Sequence, residues 1–214
     1  MSGPGVRKPP IWYAMSNIGW YAVVPPVAVG LLLPVGLLFV ERAGIPALTV
    51  LYLDYAVGLL IPMLAAWWPP FVFKERIGGD GREVIYFLRR KGEGATALFL
   101  ALLYWVLLVP FVLIALGTLL FTHDSIPLLL ARCLFVTALA FFAAFAFQSG
   151  MIGFMLAVLV SLVVMPPAEA AIADAARVLS ATWGTAALVT VVAYAVLSVA
   201  LLWLGELRSR RFVC

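Results

Sequence analysis

The only histidine of this chain stands in the tripeptide His123-Asp124-Ser125, which holds the three residue types of a hydrolytic triad. Immediate neighbours cannot set a base against a nucleophile with an orienting carboxylate behind it, so an outer turn is the better reading. A lone histidine also excludes the usual clustered-histidine metal sites. The glycine-rich stretch Gly78-Gly79-Asp80-Gly81 lacks the Lys-Ser or Lys-Thr that a phosphate-cradling loop needs, and it does not lie between a strand and a helix. An intramembrane aspartyl protease needs two facing aspartates within the bilayer. Asp54 falls in an apolar segment but Asp80 falls in a polar one, which leaves one carboxylate without a mate. The chain is therefore expected to hold no catalytic residues, no metal and no cofactor of its own.

Two ionisable residues remain inside apolar stretches, and each costs a few kcal/mol there unless paired or hydrated. Asp54 follows Pro46 by eight residues and Arg132 follows Ile126 by six, so at about 1.5 Å per residue both fall roughly 9–12 Å from the same membrane face. Equal depth permits a salt bridge. Asp54 and Arg132 are expected either to pair within one protomer or to line an outer, water-filled vestibule.

The elements that must position these residues are membrane spans. The 214 residues are 65% hydrophobic and 11% charged, with a mean hydropathy of +1.14. That leaves too little polar surface for a water-soluble globule. A span needs roughly 20 apolar residues, and the sequence predicts an all-α membrane protein of six transmembrane helices: Trp20–Val40, Pro46–Trp68, Ala95–Phe121, Ile126–Phe147, Met151–Met165 and Trp183–Leu204. The fifth is short and ends at Pro166-Pro167. With the N-terminus inside, eleven Lys and Arg lie on the inner side and two, Arg42 and Arg177, on the outer side. This bias orients the spans and places both termini in the cytoplasm. The expected location is the cytoplasmic membrane of a prokaryote, crossed several times. No cleavable signal peptide is visible. The sequence pI of about 9.3 follows from this topology and does not imply nucleic acid, since the basic residues are spread over three juxtamembrane segments. Cys133 and Cys214 fall on opposite sides of the bilayer and cannot pair.

Segments outside the spans carry their own signals. Ile11–Gly19, with Trp12 and Tyr13 after Pro9-Pro10, reads as an interfacial helix on the inner leaflet. Pro25-Pro26, Pro34, Pro62 and Pro110 read as sources of kinks. In the polar interruption between the second and third spans, Asp80 and Glu83 fit a helix N-terminus, Arg89, Arg90 and Lys91 suit a C-terminus, and Gly92 supplies the stop. Val84, Phe87 and Leu88 make an apolar stripe on that helix. The stripe wants either a partner protein or the inner leaflet.

The order of interfacial helix, two spans, a cytoplasmic helix entered through a Glu- and Gly-rich turn, then four spans resembles the membrane subunit of ABC-2 type transporters. In that family the second and third spans are separated by an acidic residue, a Gly, a further Glu and an apolar run closed by a basic residue. Glu75, Gly81, Glu83, the run Val84 to Leu88 and Arg89 resemble this pattern, although Gly81 and Glu83 stand one residue closer than usual and no Pro follows Leu88. The resemblance implies that residues 71–94 form a coupling region docked on a cytoplasmic ATPase, with Glu75, Gly81, Glu83, Val84, Phe87, Leu88 and Arg89 at the contact. It also implies a short outer, partly membrane-entering element between the fifth and sixth spans, and residues 166–182 match its location.

The function so implied is that of the permease subunit of an ATP-driven exporter of a hydrophobic or amphipathic substrate such as a drug, peptide or lipid. Its partners would be a nucleotide-binding ATPase chain that carries the ATP and Mg, a second permease subunit in a homo- or heterodimer, and membrane lipid. Two other classes stay open: a non-transporting scaffold or assembly protein, and a motor-independent secondary transporter. The latter wants midplane charges and an internal repeat between its halves, which the sequence does not display.

Overall fold

The computed structural model describes residues 19–74, 77, 92–118, 121, 125–166, 169 and 183–210. Almost all of these are helical, with no strand among them, and five helices are long and apolar enough to cross a membrane. We label the helices α1 (Gly19–Arg42), α2 (Pro46–Val72), α3 (Glu93–Gly117), α4 (Ser125–Ala146), α5 (Gly150–Val164) and α6 (Trp183–Arg210). The short helix, α5, lies where a fifth span is expected and is shorter than the five. The chain is thus a multi-pass membrane protein. The expected interfacial helix, the helix at 81–91 and nearly all of 166–182 lie outside the described residues.

Connections fix the directions of the helices. A turn at Ala43–Ile45, where Gly44 takes a left-handed φ of 68°, folds α2 back along α1. Ser149 caps α5 by accepting the Ile152 amide, so α4 and α5 form a second tight hairpin. One end of the bundle gathers the close of α2, the start of α3, the close of α4 and the start of α5. There Phe73 packs on Phe141 and Phe145 with ring centroids 5.1 and 5.4 Å apart.

Helix α4 is the axis. It packs against α2, α3, α5 and α6, and 67% of its span is buried against 17% for the last span. Small residues allow this. Ala138, Ala140, Ala143 and Ala144 are all buried within the chain. A Cβ at Gly153 of α5 would stand 2.7 Å from the Ala144 amide nitrogen and 2.8 Å from the Ala140 carbonyl oxygen, so the two backbones touch. In contrast, Leu31, Phe39, Val106, Leu113, Val196 and Trp203 point outward. Outward apolar side chains are what a hydrocarbon solvent selects.

Prolines do more than bend these helices. A proline has no N–H and its ring crowds the carbonyl four residues earlier, a clash that a widened turn before it relieves. Three π-helical turns do this: Ala28–Leu32 before Pro34, Ala56–Leu60 before Pro62, and Val160–Val164 before Pro166. In each, the residue just ahead of the proline (Leu33, Ile61 or Met165) donates its amide to the carbonyl five residues back. The first two turns share the sequence Ala-Val-Gly-Leu-Leu. Pro110, by comparison, sits inside the continuous helix α3.

At three of the carbonyls that prolines free, a side chain from another helix supplies a donor. The amides that would serve the carbonyls of Tyr21 and Ala22 in an α-helix belong to Pro25 and Pro26. The indole N–H groups of Trp67 and Trp68 donate there instead, at 2.9 and 3.2 Å. In α2 the carbonyl of Ala65 loses its donor to Pro69, and the Thr137 hydroxyl of α4, 3.1 Å from it and 2.8 Å from the Cys133 carbonyl of its own helix, shares its one proton between the two. In a bilayer no water performs this service, so each donor ties two helices together. Stacking of Tyr21 on Phe71, 5.1 Å apart and 5° from parallel, completes the α1–α2 joint.

Candidate functional site

Two groups of polar side chains stand out, one at each end of the bundle. The first is built by α4 and α6. Arg132 lies seven residues into α4, about 10 Å from its start, and its side chain is 13% exposed. Tyr194 of α6 is buried and packs its ring against Phe135 of α4, centroids 5.2 Å apart. Ala131, Val136, Ala140, Ala157 and Met165 form the apolar shell. Both donors meet the carboxylate of Glu169: Arg132 Nε and the Tyr194 hydroxyl donate to Oε1, each at 2.7 Å, while Arg132 Nη2 donates to Oε2.

Of the two expectations for Asp54 and Arg132, a pair or a shared outer vestibule, the pair is not what the structure shows, since Arg132 takes the carboxylate of Glu169. Helix α5 explains the exchange. It runs back along α4 but ends at Val164, so the chain leaves it near the level of Arg132, and Glu169 comes five residues later. Asp54, on α2, is exposed on the outer surface of the chain between Leu53 and Tyr55, and no ion pair to it occurs among the described residues.

The second group lies where the polar interruption rejoins the membrane. Gly92 takes φ 105°, a left-handed conformation that a side chain would strain. The Glu206 carboxylate of α6 then accepts the Gly94 amide at 2.8 Å and the Gly92 amide at 3.4 Å. These are amides at the start of α3 that have no intrahelical acceptor, and a negative charge at a helix N-terminus is favourable. The Thr96 hydroxyl donates to the Gly92 carbonyl at 3.0 Å, and Glu93 is buried beside it. Of the coupling residues expected from sequence, Glu75, Gly81, Glu83, Val84, Phe87, Leu88 and Arg89 all lie outside the described residues. Ile77, within that stretch, is buried in the main core cluster.

No group of three His, Cys, Asp or Glu residues placed to hold a metal occurs among the described residues. Cys133 is a buried free thiol. Neither polar group has a nucleophile set against a base. What they can do is bind charge: Arg132 with Tyr194 receives an oxyanion, and Glu206 grips a helix N-terminus. No family model, no curated protein and no solved structure matches this chain.

Sequence reasoning missed Glu169, Tyr194 and Glu206 as site residues. A signal existed for Glu169, which is an acidic residue just past the short span on the side from which Arg132 is reached. Glu206 gave none, because an acidic residue after the last apolar run reads as a solvated tail.

Proposed function

We propose that the chain is the membrane-spanning permease subunit of an ATP-driven, ABC-2 type exporter, and that it carries a hydrophobic or amphipathic substrate across the cytoplasmic membrane. Its termini and its polar interruption face the cytoplasm, in the orientation that the distribution of Lys and Arg favours. ATP and Mg are bound by a separate nucleotide-binding chain, which docks on the interruption through Glu75, Gly81, Glu83, Val84, Phe87, Leu88 and Arg89. A second permease subunit completes the path, and the last span, only 17% buried within this chain, leaves a broad apolar face for it or for lipid.

The observation that carries this reading is the grip of Glu206 on the Gly92 and Gly94 amides. A docking segment does no mechanical work unless its displacement reaches the spans. Here the segment's exit is joined to α3 by the chain and to α6 by a charge-assisted pair of hydrogen bonds. Movement of the interruption would be passed to two spans at once. Coupling of this kind needs only that the two motor states contact the segment with different free energies.

The test is co-purification. The chain, extracted from its native membrane in mild detergent, is expected to bring down an ATPase chain identified by mass spectrometry, and Phe87→Asp with Leu88→Asp is expected to lose it. Repeated recovery without any ATPase, under conditions that preserve other membrane complexes, would overturn the proposal in favour of a scaffold or a motor-independent transporter. Recovery of the ATPase with ATP hydrolysis unaffected by the permease would favour the scaffold alone.

A further inference from the structure

We infer that Arg132 and Tyr194 form a receptor for the head of an anionic amphiphile, a carboxylate or phosphate on an apolar tail, and that Glu169 is the chain's own carboxylate occupying it. Three donors from two scaffold helices, Arg132 Nε and Nη2 and the Tyr194 hydroxyl, converge on one carboxylate. The helices that carry the donors belong to the packed bundle. Arg132 rises from the packed axis α4, and Tyr194 is held by its ring contact with Phe135. The acceptor comes from elsewhere, beyond the end of α5.

The pair is not sealed. Side chains of Arg132 and Glu169 are 13% and 18% exposed, and among the described residues no acceptor meets Arg132 Nη1. Among the described residues, that edge of the guanidinium is left for an incoming oxyanion. Replacing one carboxylate by another leaves the net charge of the site unchanged, so the exchange avoids the cost of burying an uncompensated ion. The shell around the donors is apolar, and Leu162 and Val163 of α5 and Leu188 and Val192 of α6 face outward nearby along the chain. A head without a tail would gain nothing from such surroundings. An amphiphile would keep its tail in hydrocarbon and place only its head on Arg132.

An attached carboxylate competes at an effective concentration on the order of mM. Removing it must therefore raise the apparent affinity for an outside ligand. The full chain, reconstituted in phosphatidylcholine nanodiscs, is titrated with radiolabelled laurate. Glu169→Gln is expected to bind laurate about tenfold or more tightly than the unaltered chain, and the charge-balanced double variant Arg132→Met/Glu169→Met is expected to show no saturable binding. Adding phosphatidylglycerol to the nanodiscs separates the two sources of the head. If it competes with laurate in Glu169→Gln, the natural occupant is a lipid head; if it does not, the occupant is a free amphiphilic carboxylate. Equal binding by all three proteins, or none by Glu169→Gln, would overturn the inference and leave the pair as an internal lock. Should Glu169→Gln not be recovered folded, Glu169→Asp, one methylene shorter, provides the same comparison with a smaller gain, and the absence of any gain there overturns it equally. The binding assay contains no motor, so its outcome is independent of the ATPase reading.

Discussion

At the scale of single residues, the chain is governed by what each polar atom does without water. Arg132 is the sharpest case: Arg132→Met alone would leave the Glu169 carboxyl group mostly covered and answered only by a tyrosine hydroxyl. Breaking a buried pair from one side costs about 3–5 kcal/mol, whereas replacing both partners by apolar groups is often neutral. The thermal denaturation midpoint in detergent should therefore fall for Arg132→Met and recover in Arg132→Met/Glu169→Met. Trp68 poses the same question for a neutral group. Trp68→Phe removes the donor that reaches the Ala22 carbonyl at 3.2 Å, and an orphaned acceptor costs roughly 1–3 kcal/mol. In a Pro26→Ala background an amide returns to that carbonyl, so the same Trp68→Phe change should cost about 1 kcal/mol or less. A double-mutant cycle on denaturation midpoints measures the difference. Of this chemistry, the need of Arg132 for a partner is legible in the sequence, because an arginine inside an apolar run is conspicuous. Which partner it takes is not. Glu169 lies 37 residues away across a hairpin, and depth along a helix says nothing about which face of the bundle a residue occupies.

At the scale of helices, hydropathy locates the spans because a bilayer demands about 20 apolar residues wherever it is crossed. Expected and observed elements agree closely: 20–40 against Gly19–Arg42 for α1, and 126–147 against Ser125–Ala146 for α4. The largest departures are at ends where apolarity and helicity part company. Helix α3 stops at Gly117 rather than Phe121, and α6 continues through Glu206 and Arg208 to Arg210, since charged residues outside the hydrocarbon are still good helix formers. Prolines read as kinks from sequence, and only half of their effect is visible there. That Pro34 and Pro62 each come after a widened turn is a local consequence of ring and missing amide. That Trp67 and Trp68 answer Pro25 and Pro26 depends on α1 and α2 lying side by side. Packing between helices yields its own prediction. Gly153→Val would drive side-chain atoms into the backbone of α4 at Ala140 and Ala144, whereas Gly58→Ala meets nothing within 4 Å. Overpacking of this kind costs roughly 1–3 kcal/mol. Gly153→Val should therefore lower the denaturation midpoint and the monodisperse fraction on size exclusion, while Gly58→Ala should change neither.

At the scale of the whole molecule, the two polar groups divide the labour of a polytopic chain. At one end, Arg132 and Tyr194 hold Glu169 to the bundle axis; at the other, Glu206 ties the start of α3 to the last helix. The α4 axis joins these ends, because it packs along α6, which bears both Tyr194 and Glu206. Glu206→Ala tests whether this arrangement transmits anything. Loss of the carboxylate removes the acceptor that the Gly92 and Gly94 amides share at the start of α3, a loss of about 1.5–3 kcal/mol for hydrogen bonds to a charged group. Hydrogen exchange at residues 92–96 should accelerate by about tenfold or more, since each 1.4 kcal/mol of local stability is a factor of ten. Exchange along the middle of α4 should not change, because its burial does not involve Glu206. If the interruption is a docking segment for a motor, Glu206→Ala should still bring down the ATPase, since the expected contact residues are intact, but substrate movement should no longer follow ATP hydrolysis. Glu206→Gln, which keeps an acceptor and removes the charge, should fall between. An Ala variant that exchanges and transports like the unaltered chain would mean that α3 and α6 move independently, and that force, if any passes, enters through the chain connection alone.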